Sequence, residues 1–365
     1  MLDCPSRPEL ALDEWSRTLL DGLGGKRYPI NGQMELTDRC NLTCVHCYIN
    51  QPAGCQAALS RELTTEQVLS ILDQIADAGC LFLVLTGGEP LIRPDFPEIY
   101  LHARRRGMVV TLFTNATLLT EPIADMLAYY RPQLVDITIY GASQEIYESV
   151  TRVRGSYERC MRGIQLLAER KIPFSLKTIL LTLNRHELGA MRDLADELGV
   201  NFRYDGTIWP RGDGDERPYQ YRLPVEDLQA LDHETPERIS EWKRMADEFK
   251  DVMVRNEYTF SCGAGLRSFD IDSHGYLSIC TMVSRPAYDL KTIKFNEAWK
   301  KIGELRQLKR ERHTICETCT VGALCFQCPG WSQLVHGDNE TPVDYVCRLG
   351  HLRAGQFNNE MIELR

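Results

Sequence analysis

Ten of the fourteen cysteines in this 365-residue chain stand in spaced groups, and that spacing constrains the fold more than any other feature. Three of them, Cys40, Cys44 and Cys47, share one short loop with C-x3-C-x2-C spacing. Seven more, Cys262, Cys280, Cys316, Cys319, Cys325, Cys328 and Cys347, crowd the last third. Met1–Leu10 is polar and lacks the apolar core of a secretory signal. No run approaches the ~18 apolar residues of a membrane span. The expectation is a cytoplasmic protein, where structural disulfides are rare and spaced thiols serve metal or redox chemistry. Cys4, Cys55, Cys80 and Cys160 stand apart and read as buried small apolar residues or incidental thiols.

The chain between the two groups alternates strands and helices. Short runs rich in Val, Ile, Leu, Phe and Thr read as strands: Gln33–Leu36, Leu81–Thr86, Met108–Thr114, Val135–Tyr140, Phe174–Thr182 and Asn201–Asp205. Amphipathic runs separate them at Glu66–Ala78, Phe96–Arg106, Glu121–Tyr130, Tyr157–Arg170 and His186–Leu198. Thr64 or Thr65 caps the first, and Gly79 stops it. Six such alternations imply right-handed βαβ units and a mostly parallel sheet. They are too few for a closed eight-stranded barrel, so an open partial barrel is expected, with its site at the carboxyl ends of the strands.

The segment 209–215, Trp-Pro-Arg-Gly-Asp-Gly-Asp, breaks the pattern as a loop. A helical stretch from Pro224 to about Glu248 follows, and little regular structure is expected beyond it. The expected division is an N-terminal segment (1–30), the partial barrel (31–215), a helical linker (216–255) and a cysteine-rich domain (256–365). The net charge of −9 disfavours phosphate-driven nucleic-acid binding. The basic runs 104–106 and 309–312 read as solvated helix faces.

The first cysteine group directly follows the first strand. Three thiolates in one loop suit three corners of a cubane 4Fe–4S cluster and leave the fourth iron free for a small molecule. A zinc ion is the alternative, but it wants four ligands, and His46 stands beside Cys47, where chelating the same ion would be strained. Thr86-Gly87-Gly88-Glu89-Pro90 ends the second strand. Paired glycines let a ligand approach the backbone, and Glu89 offers a carboxylate to an ammonium group.

Cysteines at this spacing after strand one, with Gly87-Gly88-Glu89-Pro90 after strand two, resemble the radical S-adenosylmethionine (SAM) superfamily. That resemblance implies a free iron that chelates SAM, whose reductive cleavage gives methionine and a 5′-deoxyadenosyl radical that takes a hydrogen atom from substrate. It implies that Gly87, Gly88 and Glu89 hold the methionine ammonium. His46 takes the aromatic position before the last cysteine. Asn115 ends strand three as in relatives. Thr138 matches a Ser of the family's Ser-x-Asp-Gly, in which Tyr140 here replaces the Asp. Arg152 and Lys177 are candidate carboxylate partners, with surface ion pairs as the alternative.

The second group reads C-x2-C-x5-C-x2-C from Cys316 to Cys328, with Cys262 and Cys280 before it and Cys347 after. Two zinc sites are the alternative, but the x5 gap is far shorter than the ~15–20 residues of ordinary zinc ribbons. The pattern resembles the SPASM extension, a mostly irregular domain that holds two auxiliary 4Fe–4S clusters. By position, Cys316, Cys319, Cys325 and Cys347 would hold the outer cluster, and Cys262, Cys280 and Cys328 the inner one. One cysteine of the eight-cysteine form is missing. The inner cluster therefore has an open iron or an unidentified ligand. The resemblance spans about residues 30–355.

SPASM relatives modify peptides or build cofactors from them. Arg203–Arg211 resembles the strand-six region of peptide maturases, making Tyr204 and Asp205 candidate substrate contacts. Sulfatase maturases carry a basic Asp where Thr281 stands, which argues against that activity. The resemblance implies oxidative peptide modification, as a thioether or another crosslink, with a flavodoxin or ferredoxin-type reductant. No peptide-recognition domain is evident before residue 30, which leaves room for a separate leader-binding protein. Maturation of a tetrapyrrole or metal-cofactor precursor is the second reading. A non-catalytic iron–sulfur electron carrier is the third, and it would need no glycine-lined SAM site.

Overall fold

The computed structural model describes residues 15, 18–19, 21–49, 51–249, 257–319, 321 and 324–363. Cys4 and the expected boundary at 255/256 lie outside or at the edge of the described residues. The six expected strands form in order: β1 (Asn31–Glu35), β2 (Phe82–Thr86), β3 (Val109–Thr114), β4 (Leu134–Thr138), β5 (Phe174–Ile179) and β6 (Phe202–Asp205). They pair in parallel as sequential neighbours, with Thr138 opposite Lys177 and Lys177 opposite Arg203. The helices α1 (Thr65–Asp77), α2 (Phe96–Arg105), α3 (Glu121–Tyr129), α4 (Gln144–Thr151), α5 (Ser156–Glu169) and α6 (Leu188–Glu197) lie between them. This is the α/β partial (β/α)6 barrel that the alternation implies. Its core runs from Met34 and Leu85 through Val110 and Ile137 to Leu176, all fully buried.

Local chemistry sets the ends of these elements. Thr64 and Gln67 close a capping box on α1. Strand β5 stops three residues short of its apolar run. Asn184 accepts from the Leu181 amide at 2.8 Å and donates to the Ile179 carbonyl at 3.0 Å, which turns the chain while Leu180 and Leu181 stay buried. Helix α4 carries no long periodic run. Its Ser143 cap accepts from the Ile146 amide, and Arg152 ends it in the left-handed region at φ 58°.

The last third is more regular than its patterning suggests. The expected linker helix is two helices, α7 (Val225–Asp232) and α8 (Pro236–Phe249). Strands β7 (Ser268–Ile271), β8 (Tyr276–Ser278) and β9 (Tyr288–Asp289) follow, then α9 (Phe295–Leu305), α10 (Pro329–His336) and α11 (Asp344–Glu363). Strand β7 pairs in parallel with β1, so one nine-stranded sheet runs β9-β8-β7-β1-β2-β3-β4-β5-β6. Phe269 of β7 packs edge-on against Phe295 and Trp299 of α9, and these apolar faces belong to the barrel's own core. No helix among the described residues is long and apolar enough to cross a membrane.

Candidate active site

The cysteine loop is clamped from below by the end of β2. The Gly88 amide donates to the Thr37 carbonyl at 2.7 Å, and the Glu89 amide to the Arg39 carbonyl at 2.9 Å. A Cβ on Gly87 would sit 2.4 Å from the Thr37 carbonyl oxygen, and one on Gly88 2.4 Å from that of Arg39. Gly87 also has φ +138°, outside the range of ordinary residues. The paired glycines are therefore required first by the backbone that crosses them. On the other side, the Thr43 and Val45 amides donate to the Thr151 and Val150 carbonyls at the end of α4. The loop that carries Cys40, Cys44 and Cys47 is thus held from two sides.

The three thiols line a cavity of about 360 Å³ at the carboxyl ends of the strands. Gly87, Gly88, Asn115, Thr138, Lys177 and Asp205 line it too. Asn115 Nδ2 lies 3.7 Å from Cys40 Sγ and 3.1 Å from Asn41 Oδ1. Lys177 pairs with the buried Asp136 at 2.9 Å and lies over the Phe113 ring, while burial pulls its ammonium down to about 8.

Three expected site residues do not line this cavity. Glu89 is fully buried, and its carboxylate accepts from the Thr114 hydroxyl and the Asn115 and Leu91 amides at 2.8–3.0 Å. It braces the strand ends rather than facing the cavity, and burial pushes it up to about 7. Arg152 is exposed on the cap of α4 and reaches the Tyr221 hydroxyl at 3.5 Å. Tyr204 donates to the Leu231 carbonyl at 3.2 Å and, with Asp205, lines an adjoining groove of about 790 Å³. Residues that the motifs do not flag also line the cavity. Tyr48 and Trp209 face each other at 5.8 Å across its rim, and Gln33 and Phe113 line its wall.

The cavity suits an iron–sulfur cluster with a small ligand. Burial pushes the Cys40 thiol up to about 12 and raises Cys44 well above its ordinary value, so an iron counter-charge is what would hold them as thiolates. Among the described residues no three His, Cys, Asp or Glu side chains gather closely enough to hold a single ion. The thiols instead ring a space. His46 Nδ1 is buried there without a partner, its ring edge-on to Tyr140 at 5.1 Å, and burial pulls it down to about 4. A bound ligand would satisfy that nitrogen.

Residues 34–195 match the model of the radical SAM superfamily. That segment is a radical SAM domain. The chain is 28% identical over 324 residues to an AdoMet-dependent heme synthase of Methanosarcina barkeri, covering 83% of this chain and 92% of that protein. It is 25% identical to the antilisterial bacteriocin subtilosin biosynthesis protein AlbA of Bacillus subtilis, over 82% of this chain and 67% of that one. The structure of Streptococcus suis SuiB bound to its precursor peptide SuiA superposes with a TM-score of 0.67 at 15% identity, covering 95% and 84% of the two chains. That likeness is one of fold and extends over the C-terminal region.

Beyond the radical SAM domain, Cys262, Cys316, Cys319, Cys325 and Cys328 line one cavity of about 150 Å³. Cys316, Cys319, Cys325 and Cys347 line another cavity of about 180 Å³ together with His351, whose Nε2 is 3.9 Å from Cys319 Sγ. Gly350 admits the close approach of Cys325, since a Cβ there would lie 2.8 Å from that of Cys325. Cys280 lies within electrostatic reach of Cys262 and Cys328. The isolated Cys80 and Cys160 are buried in the core, and Cys55 is half-buried.

Proposed function

We propose that this radical SAM enzyme oxidatively modifies a ribosomally made peptide, joining one of its carbons to sulfur or to another atom in a crosslink. One observation carries the reading. Asp205, Thr207 and Trp209 line both the cysteine cavity and a groove of about 790 Å³ that extends to Cys262 and Cys328. A substrate large enough to fill that groove reaches both ends at once.

Cys40, Cys44 and Cys47 would hold the SAM-binding cluster, with Gly87, Gly88, Asn115, Thr138 and Lys177 around SAM. When bound and cleaved, SAM supplies the radical that removes a substrate hydrogen atom. Trp209 and Tyr48, in ring contact at 5.8 Å, would form part of the wall around the reacting groups. Cys316, Cys319, Cys325 and Cys347 would hold an outer auxiliary cluster. Cys262, Cys280 and Cys328 would hold an inner one, and a fourth iron left without a protein ligand would suit a substrate thiolate. The barrel (31–215), helical linker (216–255) and auxiliary domain (256–365) would together form a cytoplasmic enzyme. A flavodoxin or ferredoxin-type reductant and a separate leader-binding protein would serve it.

A second reading is maturation of a tetrapyrrole. The likeness to the heme synthase favours it, as do Arg203, Arg238, Arg244 and Arg353 along the groove, since guanidinium groups suit carboxylates. An electron carrier needs no ligand space beside its cluster, whereas Cys40, Cys44 and Cys47 share a cavity of about 360 Å³ with Gly87, Gly88, Asn115 and Thr138.

Anaerobic reconstitution should load about twelve irons, four per cubane. Dithionite and SAM should yield 5′-deoxyadenosine, and Cys40→Ala, Cys44→Ala and Cys47→Ala together should abolish it. Peptides encoded by short open reading frames beside the gene should change mass on incubation. If only a porphyrin carboxylate changes mass, the tetrapyrrole reading replaces the peptide one.

A further inference from the structure

Two cavities meet at a thin wall beneath the cysteine loop. The first is the cysteine cavity. The second, of about 600 Å³, lies on the β7 side, and Tyr48, Ile49 and Thr281 face both. A hydrogen-bonded chain crosses the wall. Gln33 Nε2 donates to Thr281 Oγ1 and to Asp270 Oδ1, each at 2.9 Å. Thr281 Oγ1 in turn donates to Asp270 Oδ1 at 3.1 Å. Gln33 and Thr281 line the first cavity, and Asp270 lines the second. Pairing of β1 with β7 sets Gln33 opposite Asp270, so the sheet itself fixes the chain.

We propose that Thr281 and Asp270 form a proton exit from the active cavity, accepting the proton that the substrate loses as its new bond forms. This rests on the oxidative reading above. Forming C–X from C–H and H–X removes two hydrogens. One leaves the carbon as an atom, taken by the radical that SAM supplies. The other leaves as an electron, taken by a one-electron acceptor of the iron–sulfur class, and a proton. The Thr281 hydroxyl takes that proton from X and passes its own to the Asp270 carboxylate. A hydroxyl can do both at once, and the carboxylate supplies the basicity that the hydroxyl lacks. The second cavity then leads the proton to solvent.

The charges around Asp270 suit an acceptor that works near neutrality. Burial pushes its carboxyl up to about 7, Asp272 adds to this, and Thr281 and Gln33 pull it back. Glu35 on β1, bonded to the Tyr48 hydroxyl at 3.0 Å, is held well above the usual carboxylate range by burial and by Asp270. Asp38, His274, Arg61, Arg211, Asp213 and Arg285 complete the charged groups of the second cavity.

The test compares Asp270→Asn, Thr281→Val and Thr281→Ser in the cluster-loaded enzyme with the modified peptide as readout. Asn and Val keep shape but remove the base or the hydroxyl. Product formed per 5′-deoxyadenosine should fall ~10-fold or more in both, within the range of a lost general base. Ser should restore it. Product formation in the wild type should rise with pH through about 7, and Asp270→Asn should flatten that rise. Unchanged ratios and an unchanged pH profile overturn the proposal. If the wild type converts no peptide, the functional reading has failed, and infrared titration of the apoprotein still decides the relay. A carboxyl band that titrates near neutral pH, vanishes in Asp270→Asn and shifts in Thr281→Val supports it. A wild-type spectrum without such a band refutes it.

Discussion

Glu62 ties down the cysteine loop. Its carboxylate, with only 4% of the side chain exposed, accepts from Arg39 Nε and Nη2 at 2.7 and 3.0 Å and from the Thr37 hydroxyl. Arg93 approaches it at 3.9 Å while pairing with Asp95 and donating to the Leu36 and Leu63 carbonyls. Glu62→Met leaves the Arg39 guanidinium buried with no charge partner, a loss of about 3–5 kcal/mol. Denaturant unfolding of the apoprotein should show that loss. The double variant Arg39→Met/Glu62→Met should recover part of it, because no charge is stranded. Equal stability of the single and double variants would remove the pair from the account. Arg39 stood in plain view beside Cys40, but its partner lies 23 residues away with no periodic relation to it. Glu89 shows the opposite case. Its motif was legible, yet its side chain went to the Thr114 hydroxyl and the Asn115 amide on the next strand, because full burial demands that a carboxylate be satisfied.

At the scale of elements, β1–β5 and the five longer helices of the barrel were legible because each buries apolar residues at strand or helical period. The β7–β8 hairpin was not. Its strands are four and three residues long, too short for a period to register. Its place beside β1 depends on Phe269, which fills the space left by Gly32, where a Cβ would lie 2.6 Å from the ring. Phe269 also meets Phe295 at 5.0 Å and Trp299 at 6.1 Å, with Arg27 over the Trp299 ring at 3.9 Å. Phe269→Ala empties this junction and should cost about 3–5 kcal/mol. The sheet is shared, so the loss should lower one common unfolding transition, followed by far-UV circular dichroism and by tryptophan fluorescence. Two separated transitions in the wild type would show instead that the barrel and the hairpin region unfold independently.

Over the whole molecule, the buried carboxyls give the apoprotein an unusual dependence on pH. Burial raises Glu89 and Asp270 to about 7, and it raises Glu35 and Asp272 in the same direction. Between the ordinary values of 3.8–4.5 and about 7, the folded chain therefore holds protons that the unfolded chain has lost. Stability then falls as pH rises through that window. His46 works against this, because burial lowers it from 6.5 to about 4 and makes the unfolded chain the better proton binder in the same range. Asp38, Asp95 and Asp338 are lowered, so their stabilisation is lost only in more acidic solution, below their ordinary 3.8. Four groups outweigh one. The apoprotein should be more stable near pH 5 than near pH 7.5, by on the order of 2–4 kcal/mol, because a tenfold change in proton affinity on folding is worth about 1.36 kcal/mol. Thermal unfolding across that range measures it, and Glu89→Gln or Asp270→Asn should each flatten the slope. A Tm that climbs from pH 5 to pH 7.5 would mean that these carboxyls are ionised in the fold at neutral pH. Asp270 would then accept a proton far less readily than a group poised near 7. The stability profile and the infrared titration therefore constrain the same carboxyl from independent directions.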